Sequence, residues 1–535
     1  MRLNRITALA AALLLTGGVT LTACSSDSDG GADVVTVNLA EPQNPLLPAN
    51  ANDNNGSRII DRLFAGLKYY DASGVAHNDM AQSIVTTDRK NYTITIKPDW
   101  KFTDGTTVKA KSFVDAWNFA ALGTNAQIQS YVFNGIVGYD EVSAEKPTAQ
   151  TMSGLKIVDD YTFTVALKSP SIDFETGLAY APFYPLPEAA YKDLKAFGEN
   201  PIGNGPYKFA RQGAWEHNVK VELAPNPDYK GGRPAKNKGL RMVMYQSYDT
   251  AYADLLAGNL DALDTVPASA MSTYKKDLGA RAITKSTAQN SHIGLQPTLA
   301  HFGGEEGVLR RKAMSLAVNR EQIAENIFRG GRVPAKDFTA STLPGFNGSL
   351  PGSEFLKYNP TEAKKLWAQA DAISPWSGRF EMAYNSDGDH QSWVEAVTNS
   401  IKNTLGIDAV GAPYPTFKDI RTAITNKTIG KGFRYGWQGD YPTMLQFLTA
   451  NYYSTAGYNN TLYNNPEFDR LIDASLAAQT EQESYKLVGQ AQTLLLKDMP
   501  SVPLFDYIAQ AGHSDKVKNV ALTWAGQFDF ENIEK

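Results

Sequence analysis

The stretch from Tyr92 to Leu122 reads Y-T-I-T-I-K-P-D-W-K-F-T-D-G-T-T-V-K-A-K-S-F-V-D-A-W-N-F-A-A-L, and its reading sets the fold class. Tyr92 to Ile96 alternates apolar residues with threonine, the two-residue period of a half-buried strand. Thr103-Asp104-Gly105-Thr106 carries an Asp-Gly turn signal, which predicts a second strand close by. From Ser112 to Leu122 the spacing becomes helical, with Phe113, Ala116, Trp117 and Ala120 on one side. Strand, turn and helix in so short a span predict a mixed α/β chain.

The same mixture continues in both directions with no fixed repeat. Val34 to Leu39 reads as a strand, and Ser57 as the cap of a helix whose apolar face carries Ile60, Leu63, Phe64 and Leu67. Tyr161 to Leu167 alternates again and leads into a proline-rich stretch, Pro182 to Pro187, that suggests a domain crossing. Asn200 to Tyr207 (N-P-I-G-N-G-P-Y) lacks the third glycine and the Lys-Ser/Thr ending of a phosphate cradle, so it reads as a structural loop. Helices are predicted at Asp249 to Ala257, ended by Gly258, and in two segments around Asn319 between Arg310 and Phe328. Others open at Asn359-Pro360-Thr361 and span Gln391 to Leu405, Thr416 to Ile424, Pro466 to Ala478 and Glu481 to Lys497. Phe433 to Trp437 reads as a short strand. With 535 residues the chain exceeds one ordinary core, so two or three lobes are expected.

The beginning of the chain carries an address. Arg2 and Arg5 precede an apolar run from Ile6 to Leu21, and Leu21-Thr22-Ala23-Cys24 follows. A positive start, a short apolar core and small residues before a cut describe a signal peptide over 1–23. The L-T-A-C ending resembles the bacterial lipobox, in which the cysteine thiol is lipidated, so Cys24 is the expected lipidation site. As the only cysteine it can form neither an internal disulfide nor a two-cysteine metal site. Residues 24–33 then read as the lipidated cysteine and a polar, flexible linker. The expected location is the outer face of the cytoplasmic membrane, held there by acyl chains. Without Arg2 and Arg5, 49 basic residues stand against 56 acidic ones, a balance near −7 that argues against nucleic acid as a partner.

Enzyme signatures are missing. The six histidines, His77, His217, His292, His301, His390 and His513, form no H-E-x-x-H or other close pair, so no metal is expected. There is no G-x-S-x-G elbow and no phosphate-binding loop. S-x-x-K occurs at Ser143-Lys146 and Ser272-Lys275, but without the accompanying S-D-N and K-T-G motifs. The chain reads as a binding protein rather than an enzyme, with no cofactor.

Several stretches, taken in order, carry a resemblance. They are Arg62 to Leu67 (R-L-F-A-G-L), Trp100 to Val108 (W-K-F-T-D-G-T-T-V), Phe113 to Trp117, Lys156 to Leu167, Gly203 to Tyr207, Leu255 to Asp261 (L-L-A-G-N-L-D), Val308 to Arg320 and Gly436 to Tyr441 (G-W-Q-G-D-Y). Together they resemble the extracytoplasmic solute-binding proteins of peptide ABC importers, family 5, in its oligopeptide-binding branch. That resemblance implies an α/β fold, a two-lobed periplasmic-binding-protein clamp (type II, cluster C) with an extra domain. It places lobe I at 34–56, 187–288 and 503–535, the extra domain II at 57–186 and lobe III at 289–502.

It also implies a monomer that takes an oligopeptide between its lobes and hands it to an ABC permease and its ATPase subunits. Asp440 falls where the family holds the peptide ammonium, a group whose burial demands a carboxylate. Arg421, Arg434 and His390 fall at cationic positions used for peptide carboxylates. Arg421 shares its predicted helix with Phe417 and Ile424, and Arg434 lies on the strand face opposite Phe433, Tyr435 and Trp437. Glu41, in A-E-P, matches an acidic site residue, and Tyr131, Tyr414 and Trp437 match aromatic walls. Ser291-His292 departs from the tyrosine-rich strand of a relative, which puts backbone recognition and peptide length in doubt. Dipeptides, a nickel chelate, haem or an oligosaccharide remain alternative ligands, and a lipoprotein peptidase is the alternative of another class.

Overall fold

Two strands of thirteen residues, Ala282–Gly294 and Ser501–His513, organise the chain. The structure is a computed structural model that describes residues 33–535 apart from 387 and 389. The signal peptide, Cys24 and almost all of the linker lie outside the described residues. The two long strands pair antiparallel over their whole length, with register shifts between Ser286 and Asn290 and between Ser291 and His292. Such irregularities add twist and let a ribbon bend.

The flanks of this ribbon change along its length. At its first end Ser501–His513 pairs with Ala262–Leu263, which passes the sheet on to Val35–Leu39 and Leu240–Met244. At its other end Ala282–Gly294 pairs with Gly432–Gln438, followed by Phe380–Asn385 and Ala409–Tyr414. The apolar cores divide at the same place. Ile283, Ala509 and Ala511 belong to one core, which extends through Val37, Trp117 and Phe530. Ala288, Ile293 and Phe505 belong to a second, with Met382, Trp393 and Phe447. The ribbon thus runs from one body into the other, giving a mixed α/β protein of two lobes.

The stretch that opened the reading forms part of the first core. Asn91–Ile96 lies in a four-stranded sheet with Ala81–Val85, Leu155–Asp159 and Thr162–Ala166. Helix Ala110–Ala121 buries the predicted face, Phe113, Ala116, Trp117 and Ala120, and the Trp117 indole donates to the Phe183 carbonyl at 2.9 Å. Each large side chain buried this way contributes about 1.5–3 kcal/mol. The Asp-Gly turn is present, but the strand after it shrinks to a bridge between Lys101 and Thr107. Pro182 to Leu186 is buried around the short turn Ala181–Phe183.

Helix Asn54–Leu63 begins before the expected Ser57, because Asp53 accepts from the backbone N–H groups of Asn55 and Gly56. That carboxylate satisfies orphan donors which the weak helix formers Asn54, Asn55 and Gly56 would otherwise leave bare. Gly203 and Gly205 press on the end of the same helix. A Cβ on Gly203 would lie 1.9 Å from the Leu63 carbonyl oxygen, which accounts for the glycines without a phosphate. Among the described residues no helix is long and apolar enough to cross a membrane.

Candidate functional site

Where the two bodies meet, the loop after Gly432–Gln438 puts Asp440 against side chains from both. Tyr131 donates its hydroxyl to Asp440 Oδ2 at 3.0 Å, and Tyr180 donates to Oδ1 at 3.3 Å. From its own body Gln446 donates Nε2 to Oδ2 at 2.9 Å. Gln446 is held in turn by its Oε1, which accepts the Trp437 indole N–H at 2.7 Å. Tyr131 comes from the short turn Ser130–Phe133, and Gln446 from the first turn of helix Met444–Tyr452, capped by Thr443.

Asp440 is only partly open to solvent. Burial pushes its carboxyl up to about 6, although the three hydrogen bonds pull the other way. No cation stands within ion-pair distance of it among the described residues. The side chain lines a cavity of about 230 Å³ with Tyr180, Gln438 and Trp524. Arg62 and Arg233 line the same cavity, but both are turned to Glu531, at 3.0 and 3.3 Å. A carboxylate drawn from water and held by neutral donors alone is a receptor for a positive group.

A second cluster begins at Tyr458, which sequence reasoning missed. Its ring meets Trp437 edge-on at 5.1 Å and Tyr131 at 6.2 Å, and the Arg421 guanidinium lies over it at 5.5 Å. Arg421 is half-buried on helix Phe417–Thr425 and makes no ion pair among the described residues. The buried stripe of that helix is Ile420 and Ile424, while Phe417 is 50 % exposed.

Farther along the strand, Arg434 donates Nε to Asn385 Oδ1 at 2.9 Å and lies over the Phe417 ring at 5.1 Å. Tyr414 is opposite Asn385 in the adjacent strand and packs with Phe433, Ile420 and Ile424. His390 precedes helix Gln391–Leu405 and accepts the Trp393 indole N–H at its Nδ1, 3.2 Å away.

Glu41 stands apart. It binds the His217 ring at 2.7 Å and the Asn218 backbone N–H at 2.7 Å, while Glu199 takes the other ring nitrogen at 2.8 Å. Among the described residues no hydrogen bond links it to Asp440. The structure therefore joins Asp440, Tyr131, Trp437 and Arg421 directly or through Gln446 and Tyr458, and groups Arg434 with Tyr414. His292 is buried with its Nδ1 at 3.1 Å from Ser501 Oγ, and burial pushes its pKa down to about 3. Tyr180 and Gln446 also escaped the sequence reading, since nothing in their local sequence points toward a carboxylate so distant in the chain.

The chain is similar to several known proteins. Residues 76–459 match the bacterial extracellular solute-binding proteins, family 5 middle region. The oligopeptide-binding protein OppA of Bacillus subtilis is 26% identical over 521 residues, covering 94% of this chain and 92% of that protein. The periplasmic oligopeptide-binding protein OppA of Salmonella typhimurium is 27% identical, covering 84% and 83%. Among solved structures, the Escherichia coli murein tripeptide binding protein MppA superposes with a TM-score of 0.76 at 22% identity, covering 94% of this chain and 98% of that one. Haemophilus influenzae OppA in complex with the peptide RPPGFSPFR gives a TM-score of 0.73 at 24% identity, covering 94% and 98%.

Proposed function

The chain belongs to the bacterial extracellular solute-binding proteins of family 5, and on that footing we propose that it captures oligopeptides between its lobes and delivers them to an ABC permease. The observation that carries this reading is Asp440, a carboxylate with three neutral donors and no cation. A peptide ammonium supplies the missing charge. Tyr131 and Tyr180 come from one body and Gln446 from the other, so the ammonium pocket is complete only when the bodies meet. Ligand capture and lobe closure are then one equilibrium, in which peptide favours the closed form.

The strand Gly432–Gln438 sets the length scale. From Arg434 to Gln438 the strand runs about 13 Å at about 3.3 Å per residue, and Asp440 lies in the bend two residues beyond. Arg421 is the further cation and His390 the further donor proposed for peptide carboxylates, and Trp437, Tyr414 and Tyr131 the pocket walls. Lipidation at Cys24 would tether the protein to the outer face of the cytoplasmic membrane, beside its permease.

Calorimetry with a mixed panel of di- to octapeptides, joined to mass spectrometry of whatever co-purifies, tests the reading. Saturable heat and bound peptides are expected. Absence of heat and of any thermal shift with every peptide would overturn it.

A further inference from the structure

On the other side of the segment from Asp440 to Thr443 lies a second and larger cavity between the bodies, of about 550 Å³. Small-molecule sites commonly occupy about 300–1,000 Å³, whereas one water needs only about 30 Å³. Asp173 lines it and is 8 % exposed. Among the described residues its carboxylate accepts a single hydrogen bond, from the Thr443 hydroxyl to Oδ2 at 2.7 Å. That bond joins the two bodies, as do Ile172 N–H to the Leu476 carbonyl at 2.8 Å and Arg89 Nη2 to the Gln479 carbonyl at 2.8 Å.

The cations on the walls do not serve Asp173. Lys68 is turned to Glu175 at 3.9 Å, Arg89 to Gln479, and neither comes within ion-pair distance of Asp173. Glu175 and Glu481 offset Lys68 and Arg89 on the walls, which leaves no surplus cation there for Asp173. Much of the remaining lining is apolar, from Val75, Ile172, Pro442, Met444 and Leu445. A buried carboxylate with one neutral donor, in a roomy and partly apolar space, calls for a cation that carries hydrocarbon.

We propose that this cavity is a second binding site, which takes a small primary amine with an apolar body and seats its ammonium on Asp173. The site is distinct from the peptide ammonium pocket at Asp440 and does not depend on it. Burial holds the Asp173 carboxyl up to about 7, partly offset by the Thr443 hydroxyl. The phenols of Tyr70, Tyr441 and Tyr485 add no charge, because burial raises all three. A bound ammonium replaces the proton that such a carboxyl otherwise keeps.

Titration calorimetry of the full chain with hexylammonium chloride tests the assignment, with trialanine as the peptide probe. Saturable binding of one hexylammonium is expected. Asp173→Asn, which trades a buried ion pair for a neutral contact, weakens it at least about tenfold. Val75→Trp, a change at an exposed wall residue, blocks it without touching the carboxylate. Both variants keep the parent's trialanine affinity. Asp440→Asn does the reverse, losing trialanine and keeping hexylammonium. No hexylammonium binding, binding indifferent to Asp173→Asn, or binding lost in Asp440→Asn would each overturn the proposal. So would Asp173-dependent binding of potassium alone. Loss of trialanine binding in the parent, with hexylammonium binding intact, would sink the peptide reading and leave this site standing.

Discussion

Glu531 and Asp440 are both carboxylates drawn away from water, and their neighbourhoods differ in one respect. Glu531, 3 % exposed, meets Arg62 at 3.0 Å and Arg233 at 3.3 Å, and the Arg62 guanidinium lies over the Phe530 ring at 5.1 Å. Asp440 meets two phenols and an amide. In the first the acid is paired, one carboxylate between two guanidiniums, and it holds helix Asn54–Leu63 to the chain's end. The second is complete in geometry and incomplete in charge. In the proposed reading, a ligand supplies the cation that Asp440 lacks among the described residues.

The largest expected effect breaks the paired side of this comparison. Glu531→Gln leaves two guanidiniums without their shared counterion and should cost about 3–5 kcal/mol of stability in urea unfolding. Next, Arg434→Met tests the far end of the peptide site. Affinity for a peptide with a free carboxylate should fall by about 1.5–3 kcal/mol, while its C-terminal amide binds parent and variant alike.

A third acid shows how the chain treats a buried carboxylate that has no ion-pair partner among the described residues. Asp506, 2 % exposed, accepts from the Ser341 N–H at 3.1 Å, and burial with the Asp337 charge nearby pushes it up to about 8. A folded-state pKa above the unfolded one means that the folded chain holds a proton the unfolded chain has released. Stability from this group is therefore full below about pH 4 and is lost as pH rises toward 8. Asp506→Asn, which imitates the protonated form, should flatten that slope and exceed the parent by about 1–2 kcal/mol at pH 8. Smallest, peptide binding itself should weaken roughly tenfold between pH 7 and pH 5, since Asp440 takes up a proton near pH 6 and only its ionised form holds an ammonium.

Local order was legible in the sequence where local chemistry decides it. Gln391–Leu405 matches its predicted span, Asn359 and Asn319 cap helices as their positions indicate, and Gly258 ends its helix with a φ of +73°. The long strands were not. Ala282–Gly294 carries Thr284, Lys285, Ser286, Thr287, Gln289 and Asn290 through its middle, because it is flanked by other strands and passes between two cores instead of lining one. Asp440 and Tyr131 were named from the resemblance, whereas Tyr180, Gln446 and Tyr458 are brought to them only by the meeting of the bodies. Glu41 shows the converse: the residues around it give no hint of His217, whose ring it holds with Glu199.

The most direct measurement sets a free-amine tripeptide against its N-acetyl form in calorimetry, with the parent and with Asp440→Asn. If Asp440 receives the ligand's ammonium, acetylation and the substitution each weaken binding by at least about a hundredfold, and the two losses together are no greater than either alone. Equal affinities for the free and acetylated peptides would contradict the account.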